Sequence, residues 1–197
     1  MQEAEIARAG RAIRDGKLVV YPTETVYGLG ADALDAAAVE RVFEAKGRSR
    51  DKPVSLGVPT VEDALEHVRA SDREERFMRE FLPGPVTVLC RRREHVPDEL
   101  TAGRERVGIR VPDHPVALDL LREAGTPVTA TSANVSGTPS VTDPAELDPE
   151  FLDEVAVVLD AGETDGTEST VVNVETGEIL RRGSLADRIE AWLTEHD

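Results

Sequence analysis

The sequence is poor in cysteine, in lysine and in long apolar runs. Cys90 is its single cysteine, so no disulfide can close within the chain. It lies in Val86-Thr87-Val88-Leu89-Cys90 with no histidine nearby, the setting of a buried thiol rather than a nucleophile. No apolar run approaches a bilayer span, so no membrane partner is expected. The opening MQEAEIARAGRAIRDG is charged and helical in pattern. It lacks the layout of a signal peptide, and a cytoplasmic location is expected. His67, His95, His114 and His196 show no metal-ligand spacing. His114 is expected to help start a helix and the others to be solvated. Walker-A and GxGxxG patterns are also missing, so any ATP must be held without those loops. No internal repeat or clear linker interrupts the chain.

Lysine occurs only at Lys17, Lys46 and Lys52, and 39 acidic residues against 23 basic ones leave a formal charge of −16. Acid excess with little lysine is a halophilic composition, in which a carboxylate-rich surface keeps the chain hydrated. It weighs against a broad basic surface for nucleic acid, which needs clustered Lys and Arg. The basic residues that stand inside motifs therefore gain interest.

What is present reads as α/β. At 197 residues the chain can bury a sizeable core. Ile6, Ala9, Ala12 and Ile13 have helical spacing over residues 3–15, with Gly16 as a stop. Residues 17–21 form a buried strand. It runs into Pro22-Thr23-Glu24-Thr25-Val26-Tyr27-Gly28-Leu29-Gly30, a turn dense in hydroxyls. Asp35 caps a helix over 36–46 that ends at Gly47. Further strands are expected at 54–58, 86–91, 107–111, 127–130, 155–159, 169–174 and 178–181. Helices are expected at 61–69, 72–81, 115–123 and, capped by Ser184, 185–195. Residues 138–150 read as a loop with at most one helical turn. Together they predict one α/β domain spanning 1–197, an open twisted mixed sheet with flanking helices. Strand, glycine-bearing turn, then helix is the layout in which such sheets hold ligands at the carboxyl ends of strands.

Three clusters could carry chemistry. Lys46-Gly47-Arg48, with Arg50 and Lys52 behind, is the most basic spot. Its cations either complement a helix C-terminus or hold a polyphosphate. Thr131-Ser132-Ala133-Asn134 follows a buried strand and forms either a Ser/Thr turn or a grip on phosphate or sugar oxygens. Arg110 lies inside an apolar strand and Arg181-Arg182 ends another. Arginine is rarely buried unpaired, so each meets a protein carboxylate or a ligand anion.

In order, YPTETVYGLG, KGR, PGPVT, IRVPDHP, TSANVSG, ESTVVNV and ILRRG resemble the YrdC-like family of threonylcarbamoyl-AMP synthases. The resemblance runs from about residue 8 to 190. It implies a YrdC-like fold around a positively charged cavity, and the catalytic domain alone. It implies formation of threonylcarbamoyl-adenylate and pyrophosphate from L-threonine, bicarbonate or CO2, and ATP with Mg2+. The product would pass to a separate transferase complex that modifies tRNA. By resemblance, Lys46, Arg48, Ser132 and Asn134 contact the ATP phosphates, Arg181 holds the nucleotide, and Thr101 is a further nucleotide-side candidate. Thr23 and Arg110 hold threonine, and Thr131 and Ser169 line the same pocket. No carboxylate pair marks a protein-borne metal site. The sequence departs from the family pattern at Gly57, Thr138 and Arg182, where many members have histidine, arginine and proline. A weak or exclusive role in binding tRNA or double-stranded RNA is the alternative. Carbamoyl transfer of the hydrogenase-maturation type normally brings zinc-finger and acylphosphatase domains, which a chain of this length has no room for.

Overall fold

A computed structural model describes residues 3–196. In chain order the elements are α1 (Glu3–Arg14), β1 (Leu18–Tyr21), β2 (Gly28–Gly30), α2 (Ala36–Lys46), β3 (Ser55–Gly57), α3 (Val61–Leu65), β4 (Val68–Arg69), α4 (Asp72–Phe81) and β5 (Val86–Arg92). There follow α5 (Asp98–Thr101), β6 (Arg106–Arg110), α6 (Pro115–Ala124), β7 (Val128–Ser132), a 3-10 turn (Pro144–Glu146), α7 (Pro149–Asp153), β8 (Val155–Val158), β9 (Thr170–Asn173), β10 (Glu178–Arg181) and α8 (Ala186–Glu195).

The strands join in one ten-stranded mixed sheet, ordered β10-β9-β5-β6-β3-β7-β2-β1-β8, with β4 attached to β5. Parallel pairs (β1 with β8, β3 with β6, β5 with β9) are mixed with antiparallel ones, three of which (β3 with β7, β7 with β2, β2 with β1) follow one another. Side-chain alternation along each strand then decides what each face does. Val86, Val88 and Cys90 of β5, Val107 and Ile109 of β6 and Leu56 of β3 join a core with Phe77, Met78 and Phe81 of α4 and Ile189, Trp192 and Leu193 of α8. Phe77 stacks on Phe81 at 4.5 Å and meets Trp192 edge-on at 5.0 Å. Each large side chain so buried contributes about 1.5–3 kcal/mol. Around β1 both faces are covered. Val19 packs with Ala9 and Ile13 of α1 and Leu120 of α6, while Val20 packs with Val42 of α2 and Phe151 of α7.

Most element positions agree with the sequence reading, and five differ. The helix expected over 61–69 stops at Leu65, because Val68 and Arg69 pair with Arg92 and Arg91 and Val68 enters the core. The hydroxyl turn closes a hairpin: Gly28–Gly30 is a strand paired with β1 and β7. Two short helices were not expected, α5 and α7, the latter capped by Asp148 ahead of Pro149. Ser184 is not the cap of α8; Leu185 holds that position with no side-chain bond. Asp35 does cap α2, accepting from Ala37 N, and Ser71 with Glu74 forms a capping box on α4.

Candidate functional site

A cavity of about 850 Å3 lies against the sheet, large enough for a cofactor-sized ligand. Its floor is the second set of alternating strand residues: Thr87 and Leu89 of β5, Arg106, Gly108 and Arg110 of β6, Ser55 and Gly57 of β3 and Ala130 of β7. The site is thus spread over a face of the sheet rather than placed in a crevice at the carboxyl ends of the strands. The reason is packing. The opposite face of these strands is filled by α4 and α8, and the residues left on this face, Leu89 apart, are small, hydroxylic or cationic.

Lys46 ends α2 and is 1% exposed. Gly47, at φ 55°, turns the chain, and Arg48 N bonds back to Phe43 O at 2.9 Å. The loop after β7 folds onto this end, with Ser136 N donating to Lys46 O at 2.7 Å. Lys46 Nζ donates to the Ser132 carbonyl, to Asn134 O at 2.7 Å and to Asn134 Oδ1 at 3.2 Å. Three acceptors suit an ammonium. Against them, burial and then the charge of Arg48 pull its pKa down to about 7, with Glu168 opposing. Ser132 Oγ donates to Asn134 Oδ1, and Asn134 Nδ2 donates to Thr138 O at 2.8 Å.

Arg48 is fixed by Lys52 O (2.9 Å) and Pro53 O (3.0 Å). Burial and the nearby Arg181 lower its pKa, and Asp51 opposes them. Arg181 donates to Ser169 O at 2.9 Å and Ser169 Oγ at 2.8 Å, and pairs with Glu168 at 3.0 Å. Ser169 Oγ also meets Thr87 Oγ1 at 3.0 Å.

At the other end, Arg110 is held by the carbonyls of Gly84 and Val86. Its Nη2 lies 2.7 Å from Glu24 Oε1 and 3.4 Å from Thr25 Oγ1. Burial lowers its pKa, and Glu24 and Tyr21 oppose that. Of the two partners left open by the sequence, a protein carboxylate is therefore in place. Thr23 Oγ1 bonds Thr25 Oγ1 at 2.8 Å and Val26 O at 2.6 Å, which stiffens the turn.

Thr23, Lys46, Arg48, Arg110, Thr131, Ser132, Asn134, Ser169 and Arg181 all line this one cavity. Thr101 is not on its wall: it is fully buried in α5, bonded to Asp98 O at 3.4 Å. Gly57 and Thr138 line the cavity, whereas Arg182 turns to Asp187 and Glu190. Thr25, one of the hydroxyls of the turn, also lines the cavity, whereas sequence reasoning missed Ser55, Thr87, Arg104 and Arg106. Ser55, Thr87 and Arg106 belong to an alternation of small, hydroxylic or cationic residues with apolar ones in β3, β5 and β6, which marks a strand face but not what that face lines. Arg104 precedes β6 and carries no such signal. On the wall, Lys46, Arg48, Lys52, Arg104, Arg106, Arg110 and Arg181 stand with Glu105 and Glu168. Glu24 pairs with Arg110, and Glu74 and Glu175 with Arg106, from behind it. The cations that remain favour an anionic ligand.

Outside the site, Cys90 is buried in the core, where desolvation pushes its thiol pKa up. His114 does precede α6 as its N-cap residue. The other histidines are not simply solvated: His67 Nδ1 lies 2.9 Å from His95 Nε2, and His196 stacks on Trp192 at 4.2 Å. Among the described residues no group of three or more His, Cys, Asp or Glu could hold a metal ion.

Fold and site together define a mixed α/β protein with a cation- and hydroxyl-lined ligand cavity on one sheet face. Residues 11–183 match the family model of the Sua5, YciO and YrdC proteins, described as telomere recombination, and the chain belongs to that family. It is 42% identical over 190 residues to the threonylcarbamoyl-AMP synthase of Pyrococcus abyssi, covering 94% of this chain and 56% of that protein. To the Bacillus subtilis threonylcarbamoyl-AMP synthase it is 39% identical over 196 residues, 96% of this chain and 56% of that one. The crystal structure of P. abyssi Sua5 complexed with L-threonine superposes with a TM-score of 0.88 at 41% identity, over 93% of this chain and 55% of that chain. The chain therefore spans little more than half the length of these relatives.

Proposed function

We propose that this chain forms threonylcarbamoyl-AMP and pyrophosphate from L-threonine, bicarbonate or CO2, and ATP. The observation that carries the reading is the Lys46 ammonium seated on the Ser132 and Asn134 carbonyls, on a wall shared with Arg48 and Arg181. The names of the relatives above, and the threonine bound in one of them, support it.

In this reading the threonine ammonium first gives a proton to solvent. The free amine then attacks the carbon of CO2. The N–C bond forms as one C=O bond opens to a carboxylate oxygen, and the nitrogen gives a second proton to solvent. A carbamate oxygen then attacks the α-phosphorus, and the bond to the bridging oxygen breaks to release pyrophosphate. Little covalent work falls to the protein; positioning and charge neutralisation dominate. Lys46, Arg48, Ser132 and Asn134 hold the phosphates, and Arg181 holds the nucleotide. Thr23 and Arg110 hold the amino acid, with Thr131 and Ser169 lining the same pocket. Mg2+ arrives with the triphosphate as part of the substrate. The adenylate would pass to a separate tRNA-modifying transferase in the cytoplasm.

Incubation with ATP, threonine and bicarbonate is expected to release pyrophosphate, and omitting threonine to stop it. Release indifferent to threonine, or none at any salt concentration, would refute the synthase reading. Tight tRNA binding without turnover would point to an RNA-binding module instead.

A further inference from the structure

Glu24 is left without a role by the reading above, although it touches Arg110. Its Oε1 accepts from Arg110 Nη2 at 2.7 Å, and its side chain is 17% exposed. Its other oxygen, Oε2, is buried and has no hydrogen-bond partner. Glu24 stands just behind the cavity wall, which its neighbours Thr23 and Thr25 and its partner Arg110 all line.

Pairing with the buried Arg110 accounts for Oε1 but leaves the spare oxygen unexplained. The Gly84 and Val86 carbonyls already fix the guanidinium from the other side. Nor is His114 a counter-cation for the spare oxygen. Its Nδ1 is also buried without a partner, and burial lowers its pKa, with Glu24 and Asp113 opposing. An ionised carboxylate offers about four acceptor sites, and an unused buried one calls for a donor. Lys46 does not meet it either: its Nζ is bonded to Ser132 and Asn134, at the end of the cavity given above to the phosphates.

A ligand can bring that donor. An α-amino acid carries carboxylate and ammonium on one carbon, opposite charges a few ångströms apart. Arg110 and Glu24 present the complementary charges side by side. We propose that Glu24 receives the α-ammonium of the amino acid whose carboxylate Arg110 takes, so that the pair reads a zwitterion. To reach the ligand the carboxylate must turn its spare oxygen from its buried position towards the wall formed by Thr23, Thr25 and Arg110. This inference rests on the amino-acid reading of the cavity given above.

The test compares L-threonine with 3-hydroxybutanoate, which keeps the carboxylate and hydroxyl and lacks the amine. Dissociation constants are measured by calorimetry, with competition for the weaker ligand, on the wild-type chain and Glu24→Gln. ATP binding and the thermal midpoint serve as controls for the fold. The wild-type chain is expected to prefer threonine strongly. Glu24→Gln should weaken threonine on the order of 30-fold, as for loss of one partner in a buried charge pair. Binding of 3-hydroxybutanoate and ATP should stay unchanged, so the preference for the amine collapses. Equal weakening of both acids would mean that Glu24 only positions Arg110, and would overturn the proposal. No change in either would overturn it too. A wild-type chain that ignores threonine would defeat the amino-acid reading itself, before any variant is made.

Discussion

At Lys46 opposing influences meet on one nitrogen. Three carbonyl oxygens favour the ammonium, while burial and Arg48 disfavour it, leaving a pKa of about 7 against an ordinary 10.5. Above pH 7 the folded chain has begun to lose a proton that the unfolded chain keeps. The unfolded state then binds more protons, so stability rises with pH. Cys90 and Tyr21, whose pKa values burial raises, act in the opposite direction once free thiols and phenols ionise. The clean window therefore runs from pH 7 to about 8.5, the ordinary cysteine value. The thermal midpoint of the wild-type chain is expected to climb across that window. Lys46→Met, which keeps the length and removes the charge, should flatten the climb. It should also cut turnover on the order of 100-fold or more, the cost of losing one preorganised electrostatic group. A wild-type pH slope that survives in Lys46→Met, or near-normal turnover, would refute the account.

At the scale of the strand, Gly108 shows how β6 keeps the cavity floor low. A Cβ there would lie 2.4 Å from Ser55 Oγ and 2.8 Å from Thr87 Cγ2. At Gly57 of β3 the nearest atom would be Val128 O at 3.2 Å. Neither glycine needs a positive φ, so contact alone sets the cost. Gly108→Ala is expected to lower unfolding stability by about 1–3 kcal/mol, the cost of overpacking, and Gly57→Ala by less. Denaturant midpoints measure both; equal losses would mean that the floor has slack to absorb a methyl group. The same strands mark what was legible in the sequence. Apolar alternation located β5 and β6 to within a residue or so, and Asp35 and Gly47 bracketed α2 as expected. Yet Thr87, Ser55 and Gly108 could not be read as a floor, because which strand face stays uncovered depends on where α4 and α8 pack. Val68 was misread for a related reason: its pairing with Arg92 is tertiary and overrides the helical pattern around it.

Across the whole molecule, Lys46 and Asn134 stand 88 residues apart in sequence and share a hydrogen bond. Each segment alone admitted a bland reading as a helix end or a Ser/Thr turn, and only the order of motifs joined them beforehand. Thr101, a further nucleotide-side candidate that stands outside those motifs, is fully buried away from the cavity wall. The global charge of −16 sets the cationic cavity against its own surroundings. At about 0.01 M salt the Debye length is near 30 Å and an approaching polyphosphate senses the whole anionic molecule. At about 0.15 M the length is near 8 Å, so mainly the charges lining the mouth still act. The association rate of a fluorescent ATP analogue, followed by stopped flow, is therefore expected to rise between those two concentrations. It should fall again towards about 1 M, where the attraction of the cavity is itself screened. A cationic site on a neutral body would give a steady fall from the lowest salt upward. Such a fall here would mean that the acidic surface lies too far from the mouth to repel an arriving anion.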